Sequence, residues 1–222
     1  MVVTVSRAQA HPQSLPTVLL TPQASRGRAL IVHGYGGCKE EMLGLAWRVA
    51  EQGFTTAAID LRGHGENPWS YDSAILDDVE FALRNLTVAG PVVAIGHSLG
   101  GRLCLLSSAD FKVGLSPALA RQYSPMTEGL IRDMRAHSVR ESHPGINSET
   151  LAALPSWDGC DRDHALILYG SRDVPEIRAG CEDLQGKSCR VQRVDGAVHG
   201  DIYLNSITLS VVGQQLEAWF GS

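Results

Sequence analysis

Seven short runs dominated by Val, Ile, Leu and Ala punctuate the chain, at residues 17–20, 29–33, 55–60, 92–96, 111–115, 165–169 and 190–194. They are too short for helices and nearly continuous in apolar character, as strands buried on both faces of a parallel sheet should be. Between them the apolar spacing lengthens toward 3.6 residues. Met42, Leu43, Ala46, Val49 and Ala50 share one helical face ahead of Gly53, a residue suited to ending a helix. Ile75, Val79, Ala82 and Leu86 form a second stripe, with Asp72 as its N-cap candidate, and Ile207, Val211, Val212, Leu216, Trp219 and Phe220 mark a C-terminal helix. Strands alternating with crossover helices predict an α/β fold, a mostly parallel central sheet flanked by helices.

The interval 116–164 breaks this rhythm. It is longer than an ordinary strand connection and rich in Pro, His and Met, so it reads as a small cap inserted within a single domain spanning 1–222. Inside it Met126, Leu130, Ile131 and Met134 fall on one face, and residues 147–154 form a second short helix ended by Pro155. The Met-rich face is expected to pack on the body; a substrate-lining or mobile lid is the other reading.

Composition narrows the class of protein. Apolar residues make up 44% and charged residues 19%, with a formal charge of −5, which disfavours both disorder and a phosphate-binding basic surface; no nucleic acid is expected as a partner. No apolar run approaches the roughly 20 residues of a transmembrane helix, and residues 1–13 lack the apolar core of a signal peptide, so the chain reads as soluble and cytoplasmic. Cys38, Cys104, Cys160, Cys181 and Cys189 are odd in number and contain no C-x-x-C pair, so neither a disulfide framework nor a structural zinc site is indicated.

Residues 96–100 read Gly-His-Ser-Leu-Gly. With 23 Gly and 19 Ser in 222 residues, a G-x-S-x-G match arises by chance about 0.2 times per chain, so the pattern alone says little. Its position says more, because it directly follows the run Val92 to Ile95 and opens a helix-like segment through Leu106. A sharp strand-to-helix turn there lifts Ser98 out of the packed body, requires glycine at 96 and 100 to avoid clashes across the bend, and aims a helix N-terminus at developing negative charge. Ser98 is the nucleophile candidate. The glycine-rich turn 33–37, His-Gly-Tyr-Gly-Gly, follows another strand and can present backbone N–H groups toward it. The N–H of Leu99 and that of Tyr35, with Gly36 as fallback, are the oxyanion candidates. His33 is read as structural.

HGYGG at 33–37, DLRGHG at 60–65 and GHSLGG at 96–101 together resemble the α/β-hydrolase superfamily, specifically its serine esterase and lipase-like members. The resemblance spans nearly the whole chain and implies the α/β-hydrolase fold. It also implies a triad in the order Ser, acid, His. The acid is then Asp173, just past the strand at 165–169, and the base His199, on the loop after 190–194. Asp60, which matches the family's structural aspartate, Asp195 and Asp201 fit that order less well. The implied chemistry is hydrolysis of a carboxylic ester through an acyl-enzyme, with no metal, nucleotide or organic cofactor. A serine at 98 disfavours dehalogenase and epoxide hydrolase chemistry, which needs a carboxylate nucleophile. Thioester hydrolysis, acyl transfer and carbon–carbon bond hydrolysis use the same machinery, and a silent ligand-binding member is the rival from another class. The partner expected is a small or medium acyl substrate, with Tyr35, Trp69, Tyr71 and the cap as pocket candidates.

Two departures from the family pattern stand out. Arg102 places a long cation in a helix that should pack tightly under the sheet, where it needs a partner or a route to solvent. The leading antiparallel strands are expected to be shortened.

Overall fold

In the computed structural model, which describes residues 2–8, 15–86, 90–159, 163–185, 187 and 190–221, all seven apolar runs are strands of one sheet. These are β2 Thr17–Pro22, β3 Gly27–Val32, β4 Phe54–Ile59, β5 Val92–His97, β6 Phe111–Leu115, β7 Ala165–Arg172 and β8 Arg190–Val198. An eighth strand, β1 Val3–Ala8, precedes them. The order is β1-β2-β4-β3-β5-β6-β7-β8, with β1 and β2 antiparallel to their neighbours and β3 to β8 all parallel. The leading strands are not shortened: β1 pairs with β2 along its whole length. β1 escapes sequence reading because it is an edge strand with five of its six residues exposed, so it carries no buried face to betray it.

Among the described residues seven α-helices accompany the sheet: α1 Leu43–Glu51, α2 Ile75–Asn85, α3 Leu99–Leu106, α4 Pro125–Arg135, α5 Ile146–Ala153, α6 Pro175–Gln185 and α7 Ser206–Phe220. Period-two alternation sends neighbouring strand residues to opposite cores. Leu30, Val32, Ala94 and Ile167 pack with α2, α3 and α6, whereas Ala29, Ile31, Val93 and Leu166 pack with α1 and α7. Within the predicted stripes, Leu45 takes the inner place that Leu43 only half fills, and Ile207 stands exposed rather than in the core. Asp72 lies ahead of α2 and accepts the Ala74 N–H at 2.9 Å, fastening the turn before the helix.

β3 and β5 are adjacent, yet the chain leaves β3 toward β4 and leaves β5 toward β6. Strand order therefore reverses between them. In open α/β sheets a crevice forms at the carboxyl ends of such a pair. The turn 33–37 and Ser98 follow these two ends, in register through Val32 and Gly96.

The segment between β6 and β7 carries α4 and α5. Its Met-rich face does not pack on the body: Met126, Leu130 and Met134 are 78%, 54% and 63% exposed. The inward stripe is displaced by one residue, to Thr127, Ile131 and Arg135. Periodicity reports that a helix has an apolar face, not what covers that face.

Arg102 is buried in α3 and pairs with no carboxylate among the described residues. Its guanidinium donates instead to four carbonyls, of Ala118 (3.3 Å), Ala120 (3.2 Å), Leu154 (2.8 Å) and Pro155 (3.1 Å). Those carbonyls flank α4 and α5, so one cation ties both ends of the segment to the helix that begins beside Ser98. Burial lowers its pKa. Cys38, Cys104 and Cys181 are free thiols, and Cys160, Cys189 and His11 lie outside the described residues.

Candidate active site

The turn at Ser98 is as sharp as its glycines require. Ser98 has φ 53° and ψ −116°, a left-handed conformation costly for any residue with a Cβ. A Cβ at position 96 would lie 2.2 Å from the Gly100 carbonyl oxygen, and one at position 100 would lie 2.4 Å from that of His33. The elbow therefore packs directly on the turn 33–37, and no larger residue fits at either point.

Three loops from distant parts of the chain meet at this rim. Ser98 Oγ lies 3.0 Å from His199 Nε2, and His199 Nδ1 donates to Asp173 Oδ1 at 2.7 Å. Asp173 is buried at the end of β7, while the His199 side chain is 30% exposed, so the imidazole reaches the cavity and its acid does not. Burial pushes the Asp173 carboxyl up, but hydrogen bonds from His199, Ser116 and the Val174 N–H outweigh it, and the net shift is downward. The carboxylate stays ionised beside the imidazole.

The other aspartates are engaged elsewhere. Asp60 is fully buried, accepting from Lys39 N (2.8 Å), Lys39 Nζ (2.6 Å) and Glu66 N (2.9 Å). Asp195 pairs with Arg193 at the surface, and Asp201 accepts the Val198 N–H.

No acceptor among the described residues takes the N–H of Tyr35 or of Leu99. Leu99 begins α3, whose first N–H groups have no partner within the helix and whose dipole favours an anion there. Gly34 lies against the Ser98 side chain: a Cβ there would sit 3.1 Å from Ser98 Cβ. His33 is structural in its contacts. Its Nδ1 donates to the Gly34 carbonyl at 2.7 Å, its Nε2 accepts the Leu61 N–H at 3.1 Å, and burial lowers its pKa to about 4.

His97 has a place that sequence reasoning missed. It is buried, and its Nε2 donates to the carbonyl oxygen of His199 at 2.8 Å, which pins the histidine loop to the elbow. Burial, then the neighbouring His199, lower its pKa to about 3, so it holds that loop as a neutral ring. Ser116 is a second residue without a sequence signal; its hydroxyl donates to Asp173 Oδ2.

A cavity of about 110 Å³ opens on Ser98 and His199, walled by Tyr35, Tyr123, Ile131 and Leu151 among others. Of the aromatic pocket candidates only Tyr35 lines it. Its hydroxyl donates to Glu141 at 2.6 Å, and burial followed by that carboxylate raises its pKa. Tyr71 is buried with its hydroxyl on Asn147 at 3.0 Å, and Trp69 is 42% exposed.

Comparison with known proteins agrees with this fold. Residues 30–117 match the family model of the alpha/beta hydrolase fold. The mouse sn-1-specific diacylglycerol lipase ABHD11 is 31% identical over 156 residues, covering 65% of this chain and 50% of that protein. The chain thus spans about half the length of that relative. Among solved structures, TT1662 from Thermus thermophilus superposes with a TM-score of 0.68 at 21% identity, covering 100% of both chains. A monoacylglycerol lipase from Paleococcus ferrophilus superposes at 0.65 and 19% identity, covering 98% of each. With its strand order, its elbow after β5 and these matches, the chain has the alpha/beta hydrolase fold.

Proposed function

We propose that this protein is a serine hydrolase that cleaves carboxylic esters through an acyl-enzyme. The unbroken hydrogen-bond chain Ser98 Oγ, His199 Nε2, His199 Nδ1, Asp173 Oδ1 carries this reading, with links of 3.0 and 2.7 Å on either side of the imidazole. His199 takes the Ser98 proton as the oxygen attacks the acyl carbonyl, and Asp173 orients the ring and stabilises its cation. The tetrahedral oxyanion accepts from the N–H groups of Tyr35 and Leu99, each worth about 3 kcal/mol by comparison with other oxyanion holes. As the intermediate collapses, His199 returns the proton to the departing alkoxide and the alcohol leaves. Water attacks the acyl-serine by the same route, giving the free acid and regenerating Ser98.

The segment 116–164 acts as a small cap in this reading, since Thr127 and Ile131 of α4 and Leu151 of α5 close the cavity above Ser98. A confined apolar chamber suits a small or medium acyl group. The names of the relatives, a diacylglycerol lipase and a monoacylglycerol lipase, agree with ester chemistry.

A fluorophosphonate probe should label the protein, with labelling lost in Ser98→Ala. Turnover of p-nitrophenyl esters of graded chain length, run beside acyl thioesters, should favour the esters and fall off once the acyl group outgrows the cavity. Labelling that survives Ser98→Ala overturns the reading.

A further inference from the structure

Among the described residues, two non-glycine residues have positive φ: Ser98 at 53° and Ser116 at 47°. Both stand at the carboxyl ends of neighbouring parallel strands, β5 and β6. Such a conformation is strained in a residue with a Cβ, and glycine would adopt it freely. At 98 the side chain is the nucleophile candidate. At 116 the strain likewise holds a side chain in place: Ser116 is fully buried, its N–H donates to the Leu168 carbonyl at 2.7 Å, and its hydroxyl donates to Asp173 Oδ2.

The contacts of Asp173 show what that hydroxyl does. Oδ1 accepts from His199 Nδ1 at 2.7 Å and from the Val174 N–H at 2.8 Å. Among the described residues Oδ2 accepts only the Ser116 hydroxyl and a long contact from the Gly170 N–H at 3.3 Å. Without Ser116, one oxygen of a buried carboxylate keeps a single weak donor, and the group gains by rotating toward water, away from the imidazole. We propose that Ser116 is a positioning residue for the triad, a fourth member whose hydroxyl locks the Asp173 carboxylate in the rotamer that presents Oδ1 to His199. The proposal rests on the triad reading above and deepens it. The strained backbone at 116 is the structural cost of delivering a hydroxyl from the end of β6 to an acid at the end of β7.

Other ionisable groups face the same carboxylate. Tyr123, from the segment after β6, and Cys181 of α6 lie close enough for Asp173 to raise their pKa values, and His97 of the elbow lies beside His199. None of the three hydrogen-bonds to Asp173 among the described residues, so none replaces Ser116.

The experiment compares Ser116→Ala, Ser116→Gly and Ser98→Ala with the wild type on p-nitrophenyl acetate, and follows the His199 ring titration by NMR. Ser116→Gly matters because it removes the hydroxyl and the backbone strain together, so it folds even where alanine does not. Both Ser116 variants should lose about tenfold or more in kcat with KM within about twofold, and the His199 titration midpoint should move by about half a pH unit or more. Wild-type kcat and an unmoved His199 titration in Ser116→Gly overturn the proposal while leaving the triad intact. Turnover retained in Ser98→Ala identifies the failure as that of the triad reading instead.

Discussion

The rim at the carboxyl ends of β5, β7 and β8 and the segment between β6 and β7 lie on two sides of one cavity, and they are built on different principles. At the rim every group is determined several times over. Gly96 and Gly100 leave no room for alternatives, His97 holds the His199 carbonyl, and Asp173 takes four hydrogen bonds. The β6–β7 segment packs Ala118, Ile146, Leu151 and Leu154 into the core and is otherwise attached through separate polar points. Arg102 holds both stems, Glu176 of α6 takes the hydroxyl of Thr127, and Tyr35 donates to Glu141. Its outer helical face is left bare. Groups that must meet within 0.5 Å need the first design, whereas a wall that shapes a cavity needs only the second.

The comparison breaks most sharply at the rim. Ser98→Ala or His199→Ala should each reduce turnover of p-nitrophenyl acetate by about 10^6, with the circular dichroism spectrum and urea midpoint retained. Asp173→Asn should cost about 10^4, because the amide supports the wrong imidazole tautomer. A loss of only several-fold in His199→Ala would show that the base lies elsewhere.

The segment should respond to a different substitution and in a different parameter. Arg102→Met strips the donors from four carbonyls, those of Ala118 and Leu154 buried, and stability should fall by about 2–4 kcal/mol in urea titrations. As its stems loosen, the wall formed by Ile131 and Leu151 shifts, so KM should rise several-fold while kcat changes less. Limited proteolysis should cut between the stems sooner than in the wild type.

Buried neutral histidines add a pH dependence that belongs to the rim and its supports. His33 titrates near 4, and His64 and His97 near 3, all lowered chiefly by burial. Their folded pKa values lie below the unfolded value of about 6.5, so the unfolded chain takes up protons that the folded one refuses. The stabilisation is complete above pH 6.5 and is lost as the pH falls from there toward about 4 for His33 and about 3 for His64 and His97. The loss approaches about 1.4 kcal/mol per pH unit for each histidine. Urea midpoints at pH 7, 6 and 5 should drop accordingly, and His64→Gln should flatten the slope by about one proton.

The same division governs what the sequence made legible. The elbow, the turn 33–37 and the loops of Asp173 and His199 are written as glycine spacings and short motifs, because tight backbone paths admit few residue types. Ser116 is invisible by that route, since one serine after a strand has many ordinary uses and its strain is a property of φ. Arg102 stood out as a cation without an acid, and its partners could not be named because backbone carbonyls leave no trace in residue type. β1 was missed for want of a buried face, and α6 because its buried set Ile177, Cys181 and Leu184 is short and interrupted.

The smallest effect tests the bare face of α4. If Met126, Leu130 and Met134 cover nothing, replacing all three by Gln should change stability by no more than about 0.5 kcal/mol each, since no apolar contact is lost and no polar group is buried. Turnover of p-nitrophenyl acetate should stay within about twofold. Ile131→Gln, one position round the same helix and facing the cavity, should do the opposite: it puts an amide into an apolar wall and should raise KM several-fold. A triple variant that loses several kcal/mol would mean that the outer stripe packs on the body in solution. In that case the sequence expectation for this face is right, and α4 adds apolar packing of its own to that of Ile146, Leu151 and Leu154.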